Sequence, residues 1–308
     1  MSALATAVEE YLATRRALGF KLAHYDRFLT DFLGYLQQAG TDTVTTALAV
    51  AWARQPTNAH PSWWNRRLGV IRGFAHYLQA LDPAHEVPPT DLLPHHVSPM
   101  TPYLYSSTDI AALLQAAGRL RAPLQALTYQ TLIGLLAVTG LRIGEACRLD
   151  RDDVDLSTGL ITVLGSKFGK SRQVPLHHST VTALSTYAQR RDQLCTKPLT
   201  SSFFVGATHH RVPATSACKV FARLLAAADI PAPASQRRPR LHDLRHSFAV
   251  ATLLDWYRTG EDVHARLPLL STYLGHVDPK STYWYLHAAP ELLGLAAERL
   301  ERDHGHLR

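Results

Sequence analysis

The chain has 308 residues, more than one hydrophobic core usually holds, so two domains are expected. With 46% apolar and 19% charged residues it reads as globular, since a disordered chain would be poorer in hydrophobes. Its 32 Lys and Arg against 25 Asp and Glu give a net charge of +7, which favours a polyanionic partner. Residues 1–95 carry 8 side chains of each sign, so the whole excess lies later in the chain. Cys147, Cys195 and Cys218 show no CxxC spacing, which argues against a disulfide framework or a thiolate metal site and fits a reducing cytoplasm. Glu9, Glu10, Arg15 and Arg16 break any secretory signal, and no apolar run reaches the roughly 18 residues of a membrane span. The expectation is a soluble cytoplasmic protein.

Four helical patterns fill the first 81 residues. Leu4, Val8, Tyr11 and Leu12 share a face; Phe28, Leu29, Phe32, Leu33 and Leu36 form the next stripe, ended by Gly40. A shorter pattern covers Val44 to Ala53, and a fourth opens at His60-Pro61-Ser62 and carries Leu68, Ile71, Ala75 and Leu78. Residues 1–82 therefore read as an all-helical domain. Between Pro83 and Leu104 lie six of the 18 prolines, which suit neither helix nor central strand, so 83–104 reads as a linker. A second domain, 105–308, follows. Helices are expected at about 108–117, 123–139, 143–149, 179–192, 213–227, 241–257, 266–274 and 290–301. Leu160–Leu164 and Arg172–Pro175 form a hairpin around a Gly/Ser/Lys turn, and Ser202–Val205 reads as a further strand. The fold class is mainly α with a small antiparallel sheet.

Two motifs in this domain are lures. The turn Gly165–Ser171 (GSKFGKS) resembles a P-loop, but only three residues separate the first Gly from the Gly-Lys pair. Arg172-Gln173-Val174-Pro175 then stands where the phosphate-binding helix should begin. His242-Asp243-Leu244-Arg245-His246 spaces two histidines as zinc sites do, yet Asp replaces the required Glu and an Arg sits alongside. Neither a nucleotide cofactor nor a metal is expected.

What remains is a scatter of cationic and proton-transferring side chains. Arg142 and Glu145 lie three apart in Thr139-Gly140-Leu141-Arg142-Ile143-Gly144-Glu145, a spacing that by itself marks a surface helix pair. Lys167 and Lys170 occupy the hairpin turn. His242 and Arg245 share one helical face, preceded by the basic cluster Arg237, Arg238 and Arg240. Leu274-Gly275-His276 is followed nine residues on by Tyr285, in the run Ser281-Thr282-Tyr283-Trp284-Tyr285-Leu286-His287.

Taken in order, TGLRIGE, a Gly/Lys hairpin ending in VPL, HDLRH, LGH and a Tyr nine residues after that His resemble the tyrosine recombinase (phage integrase) family. The resemblance spans the second domain, and the first looks like that family's SAM-like core-binding module. It implies that Arg142 and Arg245 grip a scissile phosphate and that Glu145 supports the site. It further implies that Lys167 is the hairpin lysine, that His242 and His276 are the two site histidines, and that Tyr285 is the nucleophile. Ser166 stands before Lys167 where relatives often have Gly-Lys-Gly, and Tyr283 is a competing tyrosine at a less suitable spacing. Lys170, Arg172, Arg237, Arg238 and Arg240, with Arg66 and Arg67 in the first domain, are the expected DNA contacts.

The implied chemistry suits these side chains. Guanidiniums stay charged at any workable pH and can hold the non-bridging oxygens by forked hydrogen bonds. A phenol is mostly protonated at neutral pH, so His242 would accept its proton, and Lys167 would protonate the departing 5′ oxygen. By resemblance, four protomers act on two DNA duplexes, without a cofactor. A helix at Pro290 to Arg302 is a candidate to dock on a neighbouring protomer. Two alternatives stay open at this point: relaxation of DNA in the manner of type IB topoisomerases, and a non-catalytic DNA-binding relative.

Overall fold

A computed structural model describes residues 3–22, 24–94, 102–165, 171–231, 238–276, 278, 280–288, 292 and 294. The chain divides into two compact units, residues 1–99 and 100–308.

In the first unit the described helices are α1 (Ala3–Ala17), α2 (Tyr25–Gln38), α3 (Thr46–Arg54) and α4 (Pro61–Leu81). Local chemistry starts the last two. The Thr45 hydroxyl accepts the Leu48 N–H, and His60 accepts the Ser62 N–H with Pro61 preset at the first helical position. Phe28, Leu29, Phe32 and Leu36 of α2 meet Leu68, Ile71, Phe74 and Leu78 of α4 in one core. Trp52 of α3 completes it, edge-on to Phe32 at 5.2 Å between ring centres.

The proline-rich segment does not leave this unit at residue 83. The Val44 N–H donates to His85 Nδ1 (3.0 Å), the Glu86 N–H donates to the Val44 carbonyl (2.8 Å), and Leu93 is buried. Prolines bring carbonyls but no donors of their own. Arg72 of α4 fills that need, donating to the carbonyls of Pro88 (2.7 Å) and Pro89 (2.6 Å). Residues 83–94 are thus part of the first unit's packing, which sequence composition did not reveal.

The second unit contains α5 (Ser107–Gly118), α6 (Pro123–Thr139), α7 (Ile143–Arg148), β1 (Val154–Asp155), β2 (Leu160–Val163) and β3 (Arg172–Pro175). After these come α8 (His178–Leu194), α9 (Ala214–Ala227), α10 (Asp243–Arg258), α11 (Val263–Leu274) and α12 (Lys280–Ala288). The strands form an antiparallel sheet in the order β1-β2-β3, with Ile161 opposite Val174 and both buried. The expected mainly helical fold with a small antiparallel sheet is what forms. α6 is apolar nearly all round, with Leu132, Ile133, Leu135 and Leu136 buried, and it packs against α5, α8 and α10 as the central helix.

Two elements depart from the sequence reading. Ser202–Val205 makes only isolated bridges, Asp150 with Ser202 and Val205 with Arg211, so no strand forms there. Side chains have taken the backbone groups a ladder would use. Arg191 donates to the Phe203 carbonyl (2.8 Å), Thr128 Oγ1 to the Val205 carbonyl (2.8 Å), and the Tyr187 hydroxyl accepts the Val205 N–H (3.3 Å). Conversely, α12 is a helix that its aromatic, weakly helix-favouring sequence did not announce. It packs on α10 and α11 around Ala249, Leu253, Leu267, Leu270 and Leu274, and that second core buries Tyr285. Of the terminal helix expected at 290–302, only Leu292 and Gly294 are described; both are helical, and Leu292 is buried in this same cluster. Among the described residues no helix is long and apolar enough to cross a membrane.

Candidate active site

The site is built around the C-terminal ends of α6 and α11. Each helix stops at a glycine in the left-handed region, Gly140 (φ +61°) and Gly275 (φ +70°), a conformation that suits Gly because it lacks a Cβ. Space enforces the same choice. A Cβ on Gly140 would lie 2.6 Å from the Phe248 ring, and one on Gly275 would lie 2.7 Å from Arg172 Nη1. The carbonyls at these two ends hold the arginines. Arg245 of α10 donates from Nη1 to the Gly140 carbonyl and from Nη2 to the Leu274 carbonyl, both at 2.8 Å. Arg142, at the start of α7, donates from Nη2 to the Gly275 carbonyl (3.1 Å). Leu274 and Gly275 are consecutive residues, so two guanidiniums from distant stretches are brought side by side.

Their charges interact. Arg245 is only 2% exposed, and burial first, then the Arg142 charge, pushes its pKa down to about 10, still cationic at neutral pH. Among the described residues no carboxylate pairs with Arg245. Two partly uncompensated cations facing one another form a ready place for an anion.

Glu145 lies beneath Arg142 and is buried. Its Oε2 accepts the Arg142 backbone N–H (3.0 Å), while Oε1 accepts Arg142 Nη1 (2.8 Å). Arg172 of β3 grips the same carboxylate with both terminal nitrogens, Nη1 to Oε1 at 3.2 Å and Nη2 to Oε2 at 2.9 Å, and donates from Nε to the Tyr273 carbonyl (2.8 Å). Burial works against ionisation of Glu145, but the Arg172 and Arg142 hydrogen bonds outweigh it and hold the pKa at about 2. The reading of Arg172 as a DNA contact is therefore corrected: its guanidinium is committed to Glu145 and a backbone carbonyl.

Tyr285 meets this pair of cations from α12. Its ring is 2% exposed, whereas Tyr283 is 45% exposed and points away from the core. The Arg245 and Arg142 charges both act on the phenol, Arg245 the more strongly. Burial still raises the Tyr285 pKa above its ordinary value, against the pull of Arg245 and Arg142, so the resting group is the neutral phenol.

Histidines surround it. His276, just past α11, stacks on Tyr285 with ring centres 6.0 Å apart, and its Nδ1 shares a 2.7 Å hydrogen bond with Thr282 Oγ1 of α12. Burial, followed by the Arg245 and Arg142 charges, takes the His276 pKa down to about 4, so the ring is neutral at pH 7. His242, at the start of α10, is exposed at the surface. Partial desolvation, then Arg245 and Arg240, holds its pKa below that of an ordinary imidazole. Beside them sits His246, which the sequence reading weighed only as half of a discarded zinc-like pair, 5.0 Å from the His242 ring and 5.5 Å from Tyr285. Burial, with His242 next, lowers its pKa to about 4. Trp284 covers its outer side at 5.4 Å. Thr282 was missed, because nothing in a threonine's local sequence marks it as a histidine's partner.

The remaining expected residues scatter. Arg238 and Arg66 are exposed, and Arg66 lies over the Trp63 ring. Arg240 donates to Asp243 Oδ1 (2.9 Å) and keeps part of its surface exposed. Arg67 is a second correction. It is buried, donates to the Trp52 carbonyl (3.1 Å) and to Asp31 (3.3 Å), and lies 3.8 Å over the Trp52 ring, so it braces the first core and does not reach outward. Lys167, Lys170 and Arg237 lie outside the described residues. Among the described residues no group of three or more His, Cys, Asp or Glu is placed to hold a metal.

Comparison with known proteins places the whole chain among relatives. The profile of the phage integrase family matches residues 105–291. The Sinorhizobium fredii protein y4rB, which carries an integrase/recombinase name, is 44% identical over 308 residues, covering 98% of each chain. The tyrosine recombinase XerD of Listeria innocua is 27% identical, covering 85% of this chain and 86% of its own. Among solved structures, the Tn1549 transposon integrase in complex with transposon right end DNA superposes with a TM-score of 0.67, at 19% identity and covering 96% of this chain and 99% of its own. A family match across most of the second unit, joined to 44% identity over nearly the whole chain with a relative named as an integrase/recombinase, establishes that the chain belongs to the phage integrase family.

Proposed function

We propose that the chain is a site-specific recombinase that cuts and rejoins double-stranded DNA through a covalent 3′-phosphotyrosine on Tyr285. The observation that carries this reading is the buried Tyr285 phenol lying in the field of Arg245 and Arg142, whose guanidiniums are held on the adjacent Leu274 and Gly275 carbonyls, with no carboxylate among the described residues paired with Arg245. A backbone phosphate is an anion of the size and charge that two such guanidiniums would hold.

In the proposed step Tyr285 Oη attacks the phosphorus, its O–H bond gives up the proton to His242, and the P–O5′ bond breaks. Lys167 supplies the proton that turns the departing 5′ oxygen into a hydroxyl. Arg142 and Arg245 stabilise the negative charge that grows on the non-bridging oxygens, a service that a metal performs elsewhere. With the Thr282 hydroxyl donating to Nδ1, His276 would present its Nε2–H to the same oxygens. Glu145 would keep Arg142 oriented. Because the phosphodiester energy is stored in the phosphotyrosine, a second 5′ hydroxyl can reverse the step on a new partner strand without ATP.

The reading extends to four protomers on two duplexes in the cytoplasm, cutting one strand pair at a time. Candidates for backbone phosphate contacts are Arg66 and Arg238, which are exposed, together with Arg240, Lys170 and Arg237. The test uses suicide duplexes, nicked so that the short cut fragment diffuses away, drawn from DNA flanking the gene. Wild-type protein should form a covalent adduct in EDTA without nucleotide, at one defined position, and Tyr285→Phe should form none. Relaxation of plasmids irrespective of sequence, or adducts that persist in Tyr285→Phe, would overturn the proposal.

A further inference from the structure

Arg172 stands where two charge requirements conflict. Glu145 is a buried carboxylate touching Arg142, and alone it would neutralise the guanidinium meant for substrate. A second cation on the same carboxylate changes that balance. Arg172 takes both carboxylate oxygens in a fork. Its Nε secures the Tyr273 carbonyl, and its guanidinium lies against Gly275, whose carbonyl receives Arg142. The contacts close a ring: Arg172 to Glu145, Glu145 to Arg142, Arg142 to Gly275, and Gly275 back beneath Arg172. That ring ties β3 to α7 and to the turn that carries His276.

We propose, resting on the recombinase reading above, that Arg172 is a positioning residue which balances the Glu145 charge so that Arg142 remains available to the DNA phosphate. Two cations share one carboxylate, so one positive charge is left over on the side that faces Tyr285. Take Arg172 away and Glu145 has Arg142 as its main counterion. The phosphate then has to compete for that guanidinium. Arg172 acts through another residue and never touches DNA in this account.

The experiment is a double-mutant cycle on single-turnover cleavage, using the duplex whose cut position the suicide-substrate mapping defines. Arg172→Met should slow cleavage at saturating DNA by about tenfold, with apparent DNA affinity changed by less than about twofold. In an Arg142→Ala background the same substitution should cost less than about twofold, because the residue it acts through is already gone. Arg172→Lys, which keeps the charge but not the fork, should recover part of the loss. If Arg172→Met fails to melt cooperatively, Arg172→Lys is read through the same cycle. Full, additive loss in the Arg142→Ala background would overturn the inference. So would weaker DNA binding with an unchanged rate at saturation, the mark of a direct phosphate contact. Wild-type protein that forms no Tyr285 adduct would overturn the parent reading and this inference with it, whereas adducts with additive losses would overturn this inference alone.

Discussion

Each of the two units buries an arginine, and the way each is held separates a brace from a tool. Arg67 in the first unit lies over the Trp52 ring and brings its own countercharge, Asp31. Arg245 in the second is as deeply buried but is held by two backbone carbonyls, and the charge that acts on it most strongly is that of Arg142, of like sign. A cation that only has to hold a fold is stabilised by a partner of opposite sign. One kept short of a partner raises the folding free energy, and the deficit is made good only when an anion arrives. The charge balance differs in the same sense: the first unit's signs cancel, and the whole +7 excess lies in the second, where Arg245 and Arg142 act on Tyr285.

Exchanging the two arginines for near neighbours gives the largest expected effect. Arg245→Lys should cut the maximal cleavage rate by about 10²- to 10³-fold, the usual scale for losing one donor at a developing oxyanion. Arg67→Met should leave the rate per folded molecule within about twofold and instead destabilise the first unit by about 1–3 kcal/mol, Asp31 being partly solvated. Parallel melting and cleavage assays separate the two, and a rate loss in Arg67→Met would erase the distinction.

Acid should act on the second unit through its neutral imidazoles. His246 and His276 titrate near 4 when folded and near 6.5 in an unfolded chain. On lowering the pH from 6.5 to 4 the unfolded state takes up protons that the folded state refuses, so stability falls across that window. The loss is on the order of 3 kcal/mol from His246 alone. Glu145 acts lower down: its depressed pKa stabilises the fold above about 4.5, and that contribution disappears as the pH falls towards 2. Denaturant unfolding at pH 7 and pH 5 measures the first of these shifts.

Smaller effects probe the frame. Gly140→Ala places a methyl against Phe248 in a left-handed backbone and should cost about 2–3 kcal/mol of the second unit's stability, seen as a lower melting temperature. Thr282→Val removes one hydrogen bond to His276 and should slow cleavage by about three- to tenfold with the melting temperature nearly unchanged.

Much of the second unit was legible from chemistry set at fixed spacing. Gly140, Arg142 and Glu145, then His242 and Arg245, then Gly275, His276 and Tyr285 all converge, and the nine-residue interval picks the buried tyrosine over exposed Tyr283. Sequence could not tell which cations look inward. Arg172 and Arg67 read as DNA contacts because burial is decided by distant partners, Glu145 and Tyr273 for one, Trp52 and Asp31 for the other. The same limit hid residues 83–94, whose carbonyls are met by Arg72, and the 202–205 segment, whose ladder is replaced by Thr128, Tyr187 and Arg191. Spacing reports what one element can do, and only tertiary contacts report what it is spent on.

The most direct measurement is peptide mapping by mass spectrometry of the protein trapped on a suicide duplex. A nucleotide 3′-phosphate is expected on Tyr285, unchanged in Tyr283→Phe and lost in Arg142→Ala with Arg245→Ala. A nucleotide attached to Tyr283, or an undiminished Tyr285 adduct without the two arginines, would contradict it.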